Sequence, residues 1–429
     1  MLSRGEFMSL LASLGVAGSP AVAVAAQQPP WYPLPPPTPI GKGRALVVSG
    51  AGARGAYEAG ALKWLFRDLA GGQQPFDVIC GTSAGAINAA FAALGTPESI
   101  SQDEQLWKSM PSADILKLQP QVQDLADGAM QLKESGKHGY PAKLSYMLRA
   151  KKEFDAAGPP ADLPKIMGVM DDAGINGLVK KYPLQLDALR TTLFVTATNL
   201  THLTSDSFYR FVGPGASRQQ ERFFEITERK VKMQGQGSAP PLMRDLPYHH
   251  ALTQENFSDA VVASAAVPGV FQPVAIKRAE TGDTNLYVDG GVANNTPVGL
   301  AVDAGATDIT VILVDAVDEV PATPATLPAL LRAVNMVQSR RILQSDVQLA
   351  VLKNILASRK DWSGLNARAQ DFLADLHQAD WKPVVLRVIR PRTPLKLTIV
   401  GFNDQAGIDA AFDQGYADAQ EPWVYSIAS

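Results

Sequence analysis

Phe76-Asp77-Val78-Ile79-Cys80 reads as a short buried strand, and Gly81-Thr82-Ser83-Ala84-Gly85 turns it into a small, alanine-rich helix over 84–94. A GxSxG between a strand and a helix is the setting of a nucleophile elbow. Gly81, Ala84 and Gly85 leave the flanking backbone room, and Ser83 stands at the helix N-terminus, where the dipole favours developing negative charge. The plainer alternative is a small-residue turn with a capping serine. Outward from this unit, residues 44–49 (RALVVS), 193–198 (LFVTAT), 285–288 (NLYV), 309–314 (ITVILV) and 384–389 (VVLRVI) read as further strands. Helical spacing covers 55–69, 327–356 and 408–419. Strands separated by helices predict an α/β fold with a mostly parallel sheet covered on both faces. Residues 98–182 are helix-rich without a clear strand and are expected to form a cap-like helical insertion. One elaborated domain is preferred to two.

Gly50-Ala51-Gly52-Ala53-Arg54-Gly55 follows the first strand and opens a helix. Read alone it is GxGxxG, a dinucleotide fingerprint, which needs an acid at the end of the next strand to hold a ribose. Here that strand has its acid, Asp77, near its start, and its end runs into Gly81. NAD is therefore rejected, and no cofactor is expected. What survives is a set of closely spaced backbone N–H groups at a helix N-terminus, suited to an anion. Arg54 reads either as a tie for that loop or as a partner for a carboxylate or phosphate.

Asp289-Gly290-Gly291 follows the strand 285–288 and puts an acid where it is presented into a cleft, unless it is a simple Asp-Gly turn. The histidines are His138, His202, His249, His250 and His377. They show no HExxH spacing, and no ligand cluster supports a metal at Asp289. An α/β-hydrolase triad needs a histidine after the acid. The sole candidate there is His377, in a polar stretch that looks like a solvated helix end, and His249-His250 lies in a polar loop. The missing base moves the reading from a triad toward a Ser83–Asp289 dyad.

At this point the chain resembles the patatin-like phospholipase family. The resemblance rests on 50–55, on Gly81-Thr82-Ser83-Ala84-Gly85, on Asp289-Gly290-Gly291, and on Ala263-Ser264-Ala265-Ala266-Val267-Pro268-Gly269-Val270-Phe271 shortly before the aspartate strand. It is strong around these motifs over 43–315 and weaker beyond. It implies a three-layer α/β/α fold, a Ser83–Asp289 dyad, and lipid acyl hydrolysis. It also implies an oxyanion hole from the N–H groups of Gly50, Ala51 and Gly52, supported by Arg54 and Gly55. Many members have glycine where Ala51 stands; if that position needs φ > 0, alanine costs stability or shifts a donor. Val270 and Phe271 read either as acyl-channel lining or as core. Trp107, Met130, Tyr140, Leu144, Met147 and Leu148 read either as a lipid-facing cap surface or as core. The competing classes are an α/β-hydrolase-type esterase with a histidine base, a transacylase at the same site, and a non-catalytic lipid-binding protein.

Composition bounds the rest. The 429 residues are 46% hydrophobic and 19% charged, enough for a large core. A net charge of −3 argues against a generally basic nucleic-acid binder; the resemblance implies a lipid or membrane-surface substrate as the partner. The single cysteine, Cys80, excludes an intramolecular disulfide framework. Residues 1–26 carry Arg4, an apolar run and the small-x-small site Ala23-Val24-Ala25, which fits an export signal; a retained tail or peripheral anchor is the alternative. Seven prolines between Pro29 and Pro39 make 27–42 an extended linker. The catalytic domain is therefore expected over 43–429, with a C-terminal helical extension from about 320 and no membrane span in the mature chain.

Overall fold

The computed structural model describes residues 43–110, 177, 179, 181–182, 185–235, 248–268, 270–278, 282–316 and 384–425. The expected export signal, the linker, most of the cap and the helix over 327–356 lie outside these residues.

The described residues form one sheet of ten strands: β1 (Arg44–Val48), β2 (Val78–Thr82), β3 (Thr192–Asn199), β4 (Thr204–Arg210), β5 (Tyr248–Ala251), β6 (Val274–Lys277), β7 (Thr284–Asp289), β8 (Asp308–Ile312), β9 (Val385–Ile389) and β10 (Trp423–Tyr425). The order is β10-β9-β8-β1-β2-β3-β4-β5, with β7 on β3 and β6 on β7. The strands from β9 to β3 are parallel, as their apolar sequences require when both faces are covered. The β3–β4, β3–β7, β6–β7 and β9–β10 pairs are antiparallel.

The α-helices that accompany them are α1 (Gly55–Lys63), α2 (Ala84–Leu94), α3 (Pro97–Ser109), α4 (Ala216–Gly235), α5 (Phe257–Ser264), α6 (Val298–Asp303) and α7 (Gln405–Asp418). Because side chains alternate along a strand, Leu46, Val48, Ile79 and Ile312 face one layer, built from α1, α2, α3, α5 and α7. Val47, Cys80, Val311 and Val388 face the other, where Phe223 of α4 and Leu300 of α6 cover them. This is the three-layer α/β/α arrangement.

One expected boundary is revised and two open readings are decided. The second strand begins at Val78 rather than at residue 76, because the Asp77 carboxylate caps the Gly43 and Arg44 amides at 2.8 and 3.0 Å; Gly81 and Thr82 belong to the strand. Trp107 does not face lipid: it is buried on α3 and donates its indole N–H to Asn88 Oδ1 at 2.7 Å. Phe271 is core, with Val270 packed against that core. Met130, Tyr140, Leu144, Met147 and Leu148 lie outside the described residues.

Candidate active site

Ser83 joins β2 to α2 with φ 56° and ψ −131°. A positive φ on a non-glycine residue stores strain, and it persists where the surroundings hold it. Ser83 N–H donates to Ser264 Oγ at 2.8 Å, and Ser83 O accepts from Ala86 N–H at 2.9 Å. The flanking glycines are needed for space, since neither has a positive φ. A methyl on Gly85 would overlap the Ser49 carbonyl, and one on Gly81 would lie 2.5 Å from Gly85 O and 2.6 Å from Ala89 Cβ.

Ser83 Oγ donates to Asp289 Oδ2 at 2.6 Å. The other carboxylate oxygen accepts from Gly291 N–H at 2.7 Å. Asp289 is also fixed through its backbone, with its carbonyl accepting from Thr198 Oγ1 at 2.9 Å and its N–H donating to Ala266 O at 2.9 Å. Burial pushes its carboxyl up to about 6, against the lowering effect of the Ser83 and Gly291 hydrogen bonds.

The loop over 50–55 lies beside this pair, with Ser83 Cβ 3.2 Å from where a Gly50 Cβ would stand. Its three candidate donors are not equivalent. Gly50 N–H is donated to Asn295 O at 3.0 Å. No acceptor among the described residues engages the amides of Ala51 and Gly52. Ala51 has φ −134°, so alanine carries no left-handed strain there; the left-handed residue is Gly52, at φ +56° against Ile399. Ala53 N–H donates to Ile399 O at 2.8 Å. Gly55 opens α1 where a methyl would run into the Trp107 ring.

Arg54 is buried under the loop. Its Nε donates to Leu397 O at 2.8 Å, one terminal nitrogen to Val314 O at 3.2 Å and Asp315 Oδ1 at 3.0 Å, and the other to Leu395 O at 3.3 Å. It ties the loop to the end of β8 and to 395–397. Behind it Glu58 accepts from Ser49 Oγ at 3.4 Å and Asn88 Nδ2 at 2.9 Å, and full burial holds its carboxyl well above the usual range.

The described histidines have other partners. His250 Nε2 lies 2.8 Å from Asp206 Oδ2, His249 Nδ1 lies 2.7 Å from Ser207 Oγ, and the backbone N–H of His202 donates to Asn199 Oδ1 at 3.2 Å. His138 and His377 lie outside the described residues. Ser264, Asn295 and the Thr82–Thr196 hydroxyl pair at 2.6 Å contact the site without having been singled out from sequence. Ser264 and Asn295 stand within or beside the quoted motifs, but their contacts are too distant in sequence for spacing to signal them.

Among the described residues no helix is long and apolar enough to cross a membrane, and no group of three or more His, Cys, Asp or Glu is placed to hold a metal. No curated protein matches the chain. Among solved structures, VipD from Legionella pneumophila is 14% identical, with 90% of this chain and 68% of that one covered at a TM-score of 0.32. Human GIVD cytosolic phospholipase A2 is 11% identical, with 98% and 68% covered at a TM-score of 0.30. The sequence pattern of the patatin-like phospholipases matches residues 46–302, more than half of the chain. That span holds the elbow, the aspartate and the glycine loop, and the chain belongs to the patatin-like phospholipase family.

Proposed function

We propose that the chain hydrolyses carboxylic esters of lipids through an acyl-enzyme on Ser83, with Asp289 as the base. The observation that carries this reading is the 2.6 Å hydrogen bond from Ser83 Oγ to Asp289 Oδ2, made by a serine held at a strained elbow. Ser83 Oγ attacks the ester carbonyl as its proton passes to Asp289. The carbonyl oxygen gains negative charge and is held by the amides of Ala51 and Gly52, beside the N-terminus of α2. Asp289 then gives its proton to the leaving alkoxide, the ester C–O bond breaks, and the alcohol departs. Water attacks the acyl-enzyme, its proton goes to Asp289 and on to Ser83 Oγ, and the fatty acid leaves. Net, one ester and one water become one acid and one alcohol.

A carboxyl raised to about 6 fits a general base at neutral pH, being ionised yet more basic than an ordinary aspartate. Lipid enters the reading through the family to which the chain belongs.

The test is acyl release from phospholipid vesicles and from a soluble ester by wild type, Ser83→Ala and Asp289→Asn, each checked for folding. Loss in both variants supports the dyad. Activity kept in Asp289→Asn but lost in Ser83→Ala removes Asp289 from the mechanism.

A further inference from the structure

We propose that Asn295 is a positioning residue that sets the anion loop against the Ser83–Asp289 pair. This rests on the acyl-transfer reading above. Asn295 is buried and holds the peptides on both sides of the Gly50 Cα. Its backbone carbonyl accepts from Gly50 N–H at 3.0 Å, and its side-chain Nδ2 donates to Gly50 O at 3.3 Å. Both polar groups of Gly50 are thereby committed to a residue 245 positions away.

The glycines around it make room for this grip. Neither Gly50 nor Gly291 has a positive φ, so neither is required by backbone conformation. A methyl on Gly50 would overlap Asn295 Oδ1, and one on Gly291 would lie 2.5 Å from the same atom. The carboxamide thus fits between the glycine that begins the anion loop and a glycine that follows the base. Its neighbour extends the connection: Asn294 O accepts from Thr82 Oγ1 at 3.1 Å, next to Ser83, and Asn294 N–H donates to Gly290 O at 2.8 Å. Residues 294–295 therefore fasten together the segments that carry the nucleophile, the base and the anion loop.

Holding Gly50 O fixes the plane of the 50–51 peptide and with it the direction of the Ala51 N–H, and it sets where the chain starts toward Gly52. Losing an oxyanion donor outright costs about 10²–10³ in turnover, and misplacing one costs part of that. Asn295→Ala is expected to lower kcat by about 30-fold, with KM within about threefold of wild type, and to slow labelling of Ser83 by an alkyl phosphonate ester in the same ratio.

The two sites are also expected to be coupled. Gly50→Ala pushes a methyl into the carboxamide and close to Ser83 Cβ in wild type; when Asn295 is alanine the larger overlap is gone and only the 3.2 Å contact with Ser83 Cβ remains. Its further effect on kcat is smaller in the Asn295→Ala background, whereas independent sites multiply.

The experiment measures phosphonate labelling, kcat, KM and thermal midpoint on full-length wild type, Asn295→Ala, Gly50→Ala and the double variant. If Asn295→Ala does not fold, Asn295→Asp carries the test. It keeps the shape and removes the Nδ2 donor, and the same loss is expected at pH 8. Folded Asn295 variants labelled and turning over within threefold of wild type overturn the proposal while leaving the acyl-transfer reading intact. Wild type that is not labelled at Ser83 overturns that reading, and the proposal with it.

Discussion

Thr82 and Asp289 end their strands head to head along one edge of β3. Thr82 is the last residue of parallel β2 and lies opposite Thr196; Asp289 is the last residue of antiparallel β7 and lies opposite the next residue, Ala197. The other edge of β3 is fully taken by β4, so β2 and β7 share the remaining one. Two strands arriving from opposite directions deliver Ser83 and Asp289 to one point, although they are 206 positions apart. A sheet holds such a pair more tightly than a loop does, which is what a 2.6 Å contact between Ser83 Oγ and Asp289 Oδ2 requires.

The first consequence is a pH profile. Asp289 accepts a proton only as the carboxylate, and burial raises its carboxyl to about 6. Below that value the protonated fraction grows, so kcat/KM is expected to fall about tenfold per pH unit below about 6 and to level off between about 6.5 and 8. A soluble ester assayed from pH 4.5 to 8.5 checks this. A flat profile through pH 5 would sink Asp289 as the base.

The same shift makes the Asp289 carboxylate a cost to stability. The folded-state value of about 6 lies above the unfolded value of about 3.9, so between them the folded state binds more protons. Stability therefore falls as pH rises from about 4 to about 6, by roughly 3 kcal/mol for this one group, and stays lower above. Asp289→Asn lacks that dependence and keeps an oxygen for the Gly291 amide. Its thermal midpoint relative to wild type is expected to be several degrees more favourable at pH 8 than at pH 4, while turnover is lost. Paired melting curves at the two pH values test it. A constant offset would contradict a desolvated carboxylate.

The elbow glycines make a sharper contrast. Gly85→Ala drives a methyl into the Ser49 carbonyl, and Gly81→Ala meets the backbone of α2. Backbone yields little, so each is expected to cost about 2–3 kcal/mol and to reduce turnover. Gly299, exposed on α6, has nothing near its missing Cβ. There alanine is expected to stabilise by up to about 1 kcal/mol through helix propensity. Urea denaturation of the three variants separates the cases, and equal effects would refute the packing argument.

How far the sequence alone reaches depends on the range of the interaction. The elbow was legible because a strand, a tight turn and a helix must be contiguous, and α2 matches the expected 84–94. Strands β4, β5, β6 and β10 were not. Residues 204–210 (TSDSFYR) put Asp206 in the middle of β4, where His250, Thr204 and Asn199 satisfy its carboxylate. A buried polar network breaks the apolar pattern by which a strand is recognised. Trp107 was ambiguous because an apolar residue on a helix looks the same whether it faces lipid or core; its buried partner Asn88 decides the matter. The strain feared at Ala51 falls instead on Gly52, because the left-handed turn comes one residue later. Asn295 had no local signal, since both its bonds to Gly50 span 245 positions.

Arg54 raises the last prediction. Its guanidinium reaches three carbonyls and one carboxylate, from Val314, Leu395, Leu397 and Asp315, in directions set by a planar fork. Burial lowers its pKa, and Asp315 opposes that, so charge and geometry are both committed to the loop. All four acceptors lie beyond residue 302, the end of the family match, which makes the C-terminal part of the chain a support for the anion loop. An ammonium carries three donors on one nitrogen and cannot reproduce the fork. Arg54→Lys is therefore expected to lose about 2–4 kcal/mol of stability and to lower kcat with little change in KM. Arg392→Lys is the control, because Arg392 is about a third exposed and pairs with Asp418 and Glu421 near the surface, where a lysine substitutes within about 0.5 kcal/mol. Denaturation and steady-state kinetics on both variants decide the point, and an Arg54→Lys protein as stable and active as the control would remove Arg54 from the support of the loop.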